Sequence, residues 1–276
     1  MSKVPSLTLN NGVEMPQLGF GVWQVPDDEA TAAVSTALEA GYRSIDTAAI
    51  YGNEEGTGRA LASSGIARDE LFVTTKLWND KQGHDSTLRA FDESLGKLGL
   101  DYVDLYLIHW PVAAQGTFVD SFKAFEKILA DGRARAIGVS NFLPEHLKTL
   151  LAETSVVPAV NQIELHPQLQ QGGSRAFHQE HGIATEAWSP LGQGKGLLEV
   201  PTVVAVARKH GKTPAQAVLR WHLQLGNVVI PKSVTPSRIA ENIDVFDFEL
   251  DADDMAAFAA LDEGKRLGPD PAVFGA

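Results

Sequence analysis

Short apolar runs alternate with amphipathic segments along most of the chain. We predict strands at 42–45, 71–75, 103–108, 136–139, 159–163, 183–187 and 228–230, and a weaker eighth strand near 243–246. Short, continuously apolar strands are typical of a sheet that is buried on both faces. Strands that alternate with helices imply parallel strands joined by right-handed crossovers. The pattern therefore predicts an α/β fold, a closed (β/α)8 TIM barrel, with an open doubly wound sheet as the main structural alternative.

Three stripes of apolar residues at helical spacing lie between these runs. They are Ala30, Ala33, Val34, Ala37 and Leu38; Leu88, Phe91, Leu95 and Leu98; and Phe122, Phe125, Ile128 and Leu129. Thr213, Pro214 and Gln216 predict a helix start, because Thr can cap, Pro suits the first helical position and Gln can close a capping box. The stripes and this cap supply helices for the barrel's outer layer.

The two ends of the chain differ from the repeating units. Residues 7–15 contain the pair Asn11 and Gly12 between alternating residues, which predicts an N-terminal β-hairpin that could plug the bottom of the barrel. Residues 264–276 are rich in Gly and Pro and predict a short C-terminal tail over the surface.

The length and composition fit this architecture. A (β/α)8 barrel needs roughly 250 residues, so a chain of 276 residues predicts a single domain over 1–276. The absence of Cys excludes thiol nucleophiles, thiolate metal sites and disulfides. A net charge of −12 disfavours nucleic acid and anionic membranes as partners. Without a secretory signal or an apolar membrane span, we expect a cytoplasmic protein, and we expect it to be a monomer.

Polar residues follow or end seven of the predicted strands, where a barrel places its chemistry. They are Asp46 with Tyr51 shortly beyond, Lys76, His109, Ser140 with Asn141, Gln162, Trp188 with Ser189, and Lys232 with Ser233. Because the surrounding positions are Ile, Leu and Val, this distribution predicts a functional site at one end of the barrel.

The residue types at the first three strand ends indicate acid–base chemistry. A tyrosine has a pKa of ~10, and a nearby ammonium lowers it. Lys76 can supply that charge for Tyr51, Asp46 can pair with the buried lysine, and His109 can donate a hydrogen bond or relay a proton. Without an activated nucleophile, the set favours protonation of a carbonyl oxygen over acyl transfer. A Schiff-base role for Lys76, as in barrel aldolases, is a competing hypothesis.

The motifs around these residues resemble the aldo-keto reductase family. The matching blocks are 41–54, 105–111, 137–142, 159–167 and 230–233, in the family's order. Within the family, the chain is most similar to the compact bacterial branch that includes 2,5-diketo-gluconate reductases. The resemblance implies NADPH-dependent reduction of carbonyl groups, with no metal. It makes Tyr51 the general acid, Lys76 and Asp46 the groups that lower its pKa, and His109 the residue that orients the carbonyl.

The resemblance also implies a cofactor site. The residues are Ser140, Asn141 and Gln162 at the carboxamide, Trp188 stacked on the nicotinamide, Ser189, Leu191, Gln193 and Lys195 along the pyrophosphate segment, Lys232, Ser233 and Arg238 at the 2′-phosphate, and Glu241 and Asn242 at the adenine. Two cations and a hydroxyl suit a phosphate dianion, which favours NADPH over NADH. The segment 234–237 is less basic than in some relatives, so NADH use stays open.

The substrate pocket is expected to contain Trp23, Trp78 and Trp110, with Asn79 nearby. The short linker 112–118 favours an open site for small, polar aldehydes and ketones. A regulatory protein that binds the cofactor without turnover is the alternative function, although the intact residue set argues against lost chemistry.

Overall fold

The computed structural model describes residues 4–275. Its strands are β1 (Ser6–Thr8), β2 (Glu14–Pro16), β3 (Phe20–Gly21), β4 (Ser44–Asp46), β5 (Phe72–Leu77), β6 (Val103–Ile108), β7 (Ala134–Ser140), β8 (Val160–Glu164), β9 (Ala184–Trp188) and β10 (Val228–Val229). Its α-helices are α1 (Asp27–Glu39), α2 (Glu54–Ser63), α3 (His84–Leu98), α4 (Phe118–Ala130), α5 (Pro144–Glu153), α6 (Gly172–Glu180), α7 (Pro201–Lys209), α8 (Pro214–Gln224), α9 (Pro236–Ile243) and α10 (Ala252–Ala259). No helix in residues 4–275 combines the length and apolarity needed to span a bilayer.

Strands β3 to β10 form one parallel sheet that follows the order of the chain. A parallel bridge between Leu18 and Val229 joins its two edges. The Gly19 amide donates to the Val229 carbonyl at 2.8 Å, and the Gly21 amide donates to the Pro231 carbonyl at 3.1 Å. These contacts close the sheet and confirm the predicted (β/α)8 barrel.

The predicted eighth strand near 243–246 is wrong. Ile243 is instead the last residue of α9, and the buried Val245 follows it in the core outside the sheet. The barrel strand that the sequence pattern did not reveal is β3. It has only two residues, and Phe20 lies between two glycines. A Cβ on Gly19 would lie 2.8 Å from the Ser44 hydroxyl. Close contact with β4 therefore requires glycine there, and glycine weakens the apolar pattern that would reveal a strand.

The N-terminal hairpin is confirmed. β1 pairs antiparallel with β2, and Leu7 lies opposite Met15. Leu9 and Met15 are buried against Phe72 and Leu105 and other residues at the lower end of the barrel. The hairpin thus plugs the end of the barrel where the strands begin, and it leaves the end where they finish, the carboxyl end, open for chemistry.

The outer helices bury the predicted stripes. Phe91 of α3 and Phe122 and Phe125 of α4 belong to one buried cluster with the barrel strands. At α8 the predicted capping box is present. The backbone N–H of Gln216 donates to the Thr213 hydroxyl at 3.3 Å, and the backbone N–H of Thr213 donates to Gln216 Oε1 at 3.0 Å. The helices hold the strand ends in fixed positions, and those ends carry the site.

Candidate active site

Four side chains predicted to be catalytic meet at the carboxyl end of the barrel. Asp46 ends β4, Lys76 lies near the end of β5, and His109 directly follows β6. Tyr51 closes the short 3-10 turn Ala49–Tyr51 that follows β4. Lys76 Nζ lies 5.2 Å from the centre of the Tyr51 ring, and the centres of the Tyr51 and His109 rings are 5.7 Å apart. The fold therefore brings together residues that are up to 63 positions apart in sequence, since His109 and Asp46 differ by that number.

Lys76 is fully buried and is held by two acceptors. Its Nζ donates to Asp46 Oδ1 at 2.6 Å and to the Thr47 carbonyl at 3.0 Å. Burial alone lowers the pKa of Lys76, but the Asp46 carboxylate opposes it, and the pKa is raised overall. Lys76 is consequently a permanent cation beside Tyr51.

The pKa of Tyr51 is set by opposing effects. Burial raises it, the Lys76 ammonium lowers it, and the Asp46 carboxylate raises it again. The balance leaves the pKa of Tyr51 above its usual value. Lys76 therefore lowers the pKa of Tyr51 as predicted, but the effect of burial is larger. Asp46 raises this pKa, whereas the resemblance implied that it lowers it. Tyr51 keeps its proton at neutral pH.

His109 is buried beside Tyr51 and Trp78, whose ring centre lies 5.2 Å from that of the imidazole. Burial, with a further contribution from Lys76, holds the pKa of His109 well below its usual value. Its Nδ1 is buried and makes no hydrogen bond within residues 4–275. A buried N–H without an acceptor is costly, so the neutral ring favours the proton on Nε2. His109 is thereby a neutral hydrogen-bond donor.

Side chains at the next strand ends form a connected polar platform. Trp188 Nε1 donates to Asn141 Oδ1 at 2.8 Å, and Asn141 Nδ2 donates to the His109 carbonyl at 2.9 Å. Ser140 Oγ donates to the Gln162 carbonyl at 2.8 Å. Asn141 has a φ of 63°, a left-handed conformation that Asn tolerates better than most residues. These bonds fix the side chains predicted to face the nicotinamide.

A glycine-rich segment follows β9. Gly192 and Gly194 have φ values of 71° and 69°, which glycine adopts without strain. Gln193 Nε2 donates to Ser189 Oγ at 2.9 Å, and Lys195 Nζ donates to the Leu267 carbonyl at 3.3 Å. The predicted pyrophosphate segment, which also includes Leu191, therefore folds back on itself and contacts the C-terminal tail.

The predicted 2′-phosphate residues lie around the start of α9. Lys232 and Ser233 precede the helix, and Arg238 lies in its first turn. Lys232 and Arg238 are exposed, and neither forms an ion pair within the part of the chain from 4 to 275. Of the two predicted adenine residues, Asn242 is buried, and Glu241 accepts a hydrogen bond from the Thr213 hydroxyl at 2.7 Å. The carboxylate of Glu241 is thus already engaged by the protein.

The predicted substrate residues surround the same end of the barrel. Trp110 is buried and contacts the ring of Phe274 at a centre-to-centre distance of 4.3 Å. Trp23 is 43% exposed, and Asn79 Oδ1 is buried without a hydrogen bond in residues 4–275. Phe274 was not predicted, because nothing in a Gly- and Pro-rich tail reveals that it returns to the barrel mouth.

Comparison with known proteins agrees with this geometry. Residues 16–263 match the aldo/keto reductase family. The chain belongs to the aldo/keto reductase family. It is 61% identical to an aldo-keto reductase of Mycolicibacterium smegmatis over 98% of both chains, and 54% identical to methylglyoxal reductase DkgA of Escherichia coli K12 over 100% of both. The sequence-based assignment to this family is confirmed, and the protein is an oxidoreductase.

Solved structures give the same result. A crystal structure of an aldo/keto reductase from Brucella melitensis aligns with a TM-score of 0.93 at 58% identity, covering 95% of this chain and 99% of that one. A mutant of Gox0644 in complex with NADPH aligns with a TM-score of 0.94 at 51% identity, covering 98% of each chain.

In this aldo/keto reductase the C-terminal tail is fastened to the barrel through Glu164. The Glu164 carboxylate accepts hydrogen bonds from the Leu267 amide at 2.6 Å, the Gly268 amide at 3.0 Å and His166 Nε2 at 3.0 Å. Gly268 lies so close to Trp188 that a Cβ would be 2.5 Å from the indole. The tail therefore does more than cover the surface: it packs against a residue of the predicted cofactor platform.

Proposed function

We propose that this protein reduces small aldehydes and ketones to alcohols with NADPH, and that Tyr51 is the general acid. The observation that carries the proposal is the close set of Tyr51, Lys76 and His109 at one end of the barrel. It supplies a protonated phenol, a fixed cation and a neutral hydrogen-bond donor within one site. We extend the proposal to the whole chain, 1–276, acting as one barrel domain.

The residues of the candidate cofactor site suit NADPH. The polar platform of Ser140, Asn141 and Gln162 lies beside the indole of Trp188, which offers a surface for stacking. Lys232 and Arg238, which are exposed and form no ion pair within residues 4–275, suit a 2′-phosphate against the overall negative charge. The similarity to a structure solved with NADPH supports the same cofactor. NADH, which has no 2′-phosphate, would leave these cations unused.

The bound nicotinamide would supply the hydride for the carbonyl carbon. The chain's own residues would orient the carbonyl oxygen and supply its proton. His109 donates a hydrogen bond from Nε2 to the carbonyl oxygen and orients it, and Tyr51 transfers its phenolic proton to that oxygen. Lys76 stabilises the resulting phenolate, because its ammonium stays charged beside the ring. Tyr51 afterwards recovers a proton from solvent.

The substrate proposed is a small carbonyl compound with a polar neighbour group. The aromatic residues Trp78, Trp110 and Phe274 limit the size of the pocket, and Asn79 lies next to the tail that carries Phe274. The similarity to methylglyoxal reductases makes a 2-oxoaldehyde the first compound to test.

The Schiff-base alternative conflicts with the state of Lys76. An amine must be neutral to attack a carbonyl, whereas Lys76 is buried against Asp46 and its pKa is raised. The binding-protein alternative has no comparable observation in its favour, since the predicted catalytic residues are intact.

We expect a monomeric, cytoplasmic enzyme, and size-exclusion chromatography with light scattering tests whether it is a monomer.

The deciding experiment mixes purified protein with NADPH and a panel of small carbonyls that includes methylglyoxal, and follows absorbance at ~340 nm with NADH in parallel. Oxidation of NADPH that depends on the carbonyl supports the reductase. Tight binding of NADPH without turnover of any compound favours the regulatory alternative. Failure to bind either nucleotide contradicts the cofactor assignment.

A further inference from the structure

Glu186 is a fully buried carboxyl in the middle of β9, and it has no part in the chemistry proposed above. Successive side chains of a strand point to opposite faces. Thr185 points outward and bonds His178, whereas Glu186 points into the barrel. Glu186 Oε2 accepts a hydrogen bond from Gln162 Nε2 at 2.8 Å, and Oε1 makes none within residues 4–275. A buried ionisable residue in a barrel strand needs an explanation.

The Gln162 amide connects Glu186 to the predicted nicotinamide platform. Its Nε2 donates to Asp46 Oδ2 at 2.8 Å as well as to Glu186. A primary amide has two N–H groups on one nitrogen, so both are used by the two carboxyls. Turning the amide over would place its oxygen against the Asp46 carboxylate, which has no proton to donate. Gln162 Oε1 is thus held pointing away from Asp46 and Glu186.

That fixed oxygen is the remaining acceptor on the platform. Asn141 already bonds Trp188 through Oδ1 and the His109 carbonyl through Nδ2, and Ser140 Oγ donates to the Gln162 carbonyl. Gln162 Oε1 makes no side-chain hydrogen bond in the described part of the chain. It is therefore placed to accept from an amide N–H of the ligand.

The charge balance indicates which form of Glu186 does this. Lys76, the only buried lysine among residues 4–275, is paired with Asp46 at 2.6 Å. Burial, with the Asp46 charge adding to it, raises the pKa of Glu186 to about 8. A neutral acid with one unpartnered oxygen is far less costly here than a second carboxylate. Glu186 therefore carries a proton at neutral pH and accepts from Gln162 through its carbonyl oxygen.

We propose that Glu186 is a positioning residue that, together with Asp46, fixes the Gln162 amide so that Oε1 faces the carboxamide of the nicotinamide. The proposal rests on the NADPH binding proposed above. It assigns Glu186 no contact with substrate or cofactor, and its effect passes entirely through Gln162.

The test compares two ligands by calorimetry at pH 7: NADPH, and 2′-phospho-ADP-ribose, which lacks the nicotinamide. Glu186→Leu removes the acceptor, Glu186→Asp withdraws it by one methylene, and Glu186→Gln keeps a neutral carbonyl. Thr185→Val, on the outward face of the same strand, is the matched control. We expect Leu and Asp to raise the Kd of NADPH about tenfold and to leave 2′-phospho-ADP-ribose unchanged, with Gln close to wild type.

Other outcomes contradict the positioning role or the neutral-acid account. Equal losses for both ligands in Glu186→Asp would show a general structural role, and no loss in either short variant would show no role. A Glu186→Gln variant as weak as Glu186→Leu would mean that the ionised form is the functional one. If Glu186→Leu does not fold, Glu186→Asp decides. Wild-type protein that fails to bind NADPH would instead remove the proposed function itself.

Discussion

Lys76 Nζ lies 2.6 Å from Asp46 Oδ1, and the two side chains are 0% and 3% exposed. Breaking a buried pair leaves an uncompensated charge, so Lys76→Met should cost about 3–5 kcal/mol of unfolding free energy. Urea denaturation followed by far-UV circular dichroism measures this cost. Lys127→Met is the control, since its pair with Asp131 is 55% and 44% exposed and should contribute at most about 1 kcal/mol. Similar small losses for both variants would contradict the buried-pair account.

Tyr51→Phe removes the proposed acid and nothing else. We expect kcat to fall by about 10²–10⁴-fold, the usual contribution of a positioned acid, while the Kd of NADPH stays unchanged. Steady-state assays with methylglyoxal and calorimetric titration of NADPH measure the two quantities. Tyr102→Phe, which removes a phenol beside Arg68, should retain full activity. Near-normal kcat in Tyr51→Phe would exclude the acid role.

Arg238→Ala should weaken NADPH and spare NADH. The guanidinium is exposed in the first turn of α9 and suits two-point contact with a 2′-phosphate. We expect the Kd of NADPH to rise at least about tenfold, since charge-assisted hydrogen bonds are among the stronger ones. Titrations with both nucleotides, repeated for the exposed Arg208→Ala on α7, check this. An equal change for NADH would argue against a phosphate contact.

Glu186 should make the protein less stable as pH rises. Its pKa is raised from 4.5 to about 8 in the folded state, so the folded protein binds the extra proton between these values. Stability contributed by this group is complete below pH ~4.5 and is lost up to pH ~8. Asp46, Lys76 and Tyr51 are the ionisable groups that face it, and Lys76 and Tyr51 both have raised pKa values and keep their protons here.

Glu186→Gln removes that titration. Relative to wild type, the variant should gain about 2–3 kcal/mol of unfolding free energy between pH 5 and 7, at about 1.4 kcal/mol per pH unit. Urea midpoints at several pH values give the difference. A pH-independent difference would mean that Glu186 is ionised in the folded protein at neutral pH.

Gly268→Ala should disturb the cofactor platform from the tail. A Cβ there would lie 2.5 Å from the Trp188 indole, which is held by its hydrogen bond to Asn141. We expect a several-fold increase in the Kd of NADPH, measured by calorimetry. Gly173→Ala is the control, because nothing lies within 4 Å of its Cβ position. Unchanged binding in Gly268→Ala would show that the tail moves freely away from Trp188.

The sequence by itself determined the barrel class, the hairpin and the residues at the strand ends. These features are local: an apolar run marks a buried strand, and the polar residue that ends it marks the functional edge. Asp46, Lys76 and His109 were visible for that reason. The same local rule failed for β3, where the single apolar residue Phe20 between two glycines gives no run, and at 243–246, where apolar residues end a helix.

Only the tertiary structure decided which polar groups meet. Glu164 binds the Leu267 amide across 103 positions, and Gln162 binds Asp46 across 116. The direction of the shift in the Tyr51 pKa also depended on the fold, because the effect of burial outweighed that of the lysine nearby. The sequence shows Glu186 as an acid within a predicted strand, but it does not show that its partner is Gln162 of the neighbouring strand. Hydrogen bonding and desolvation depend on distances in space, which the order of residues along the chain does not contain.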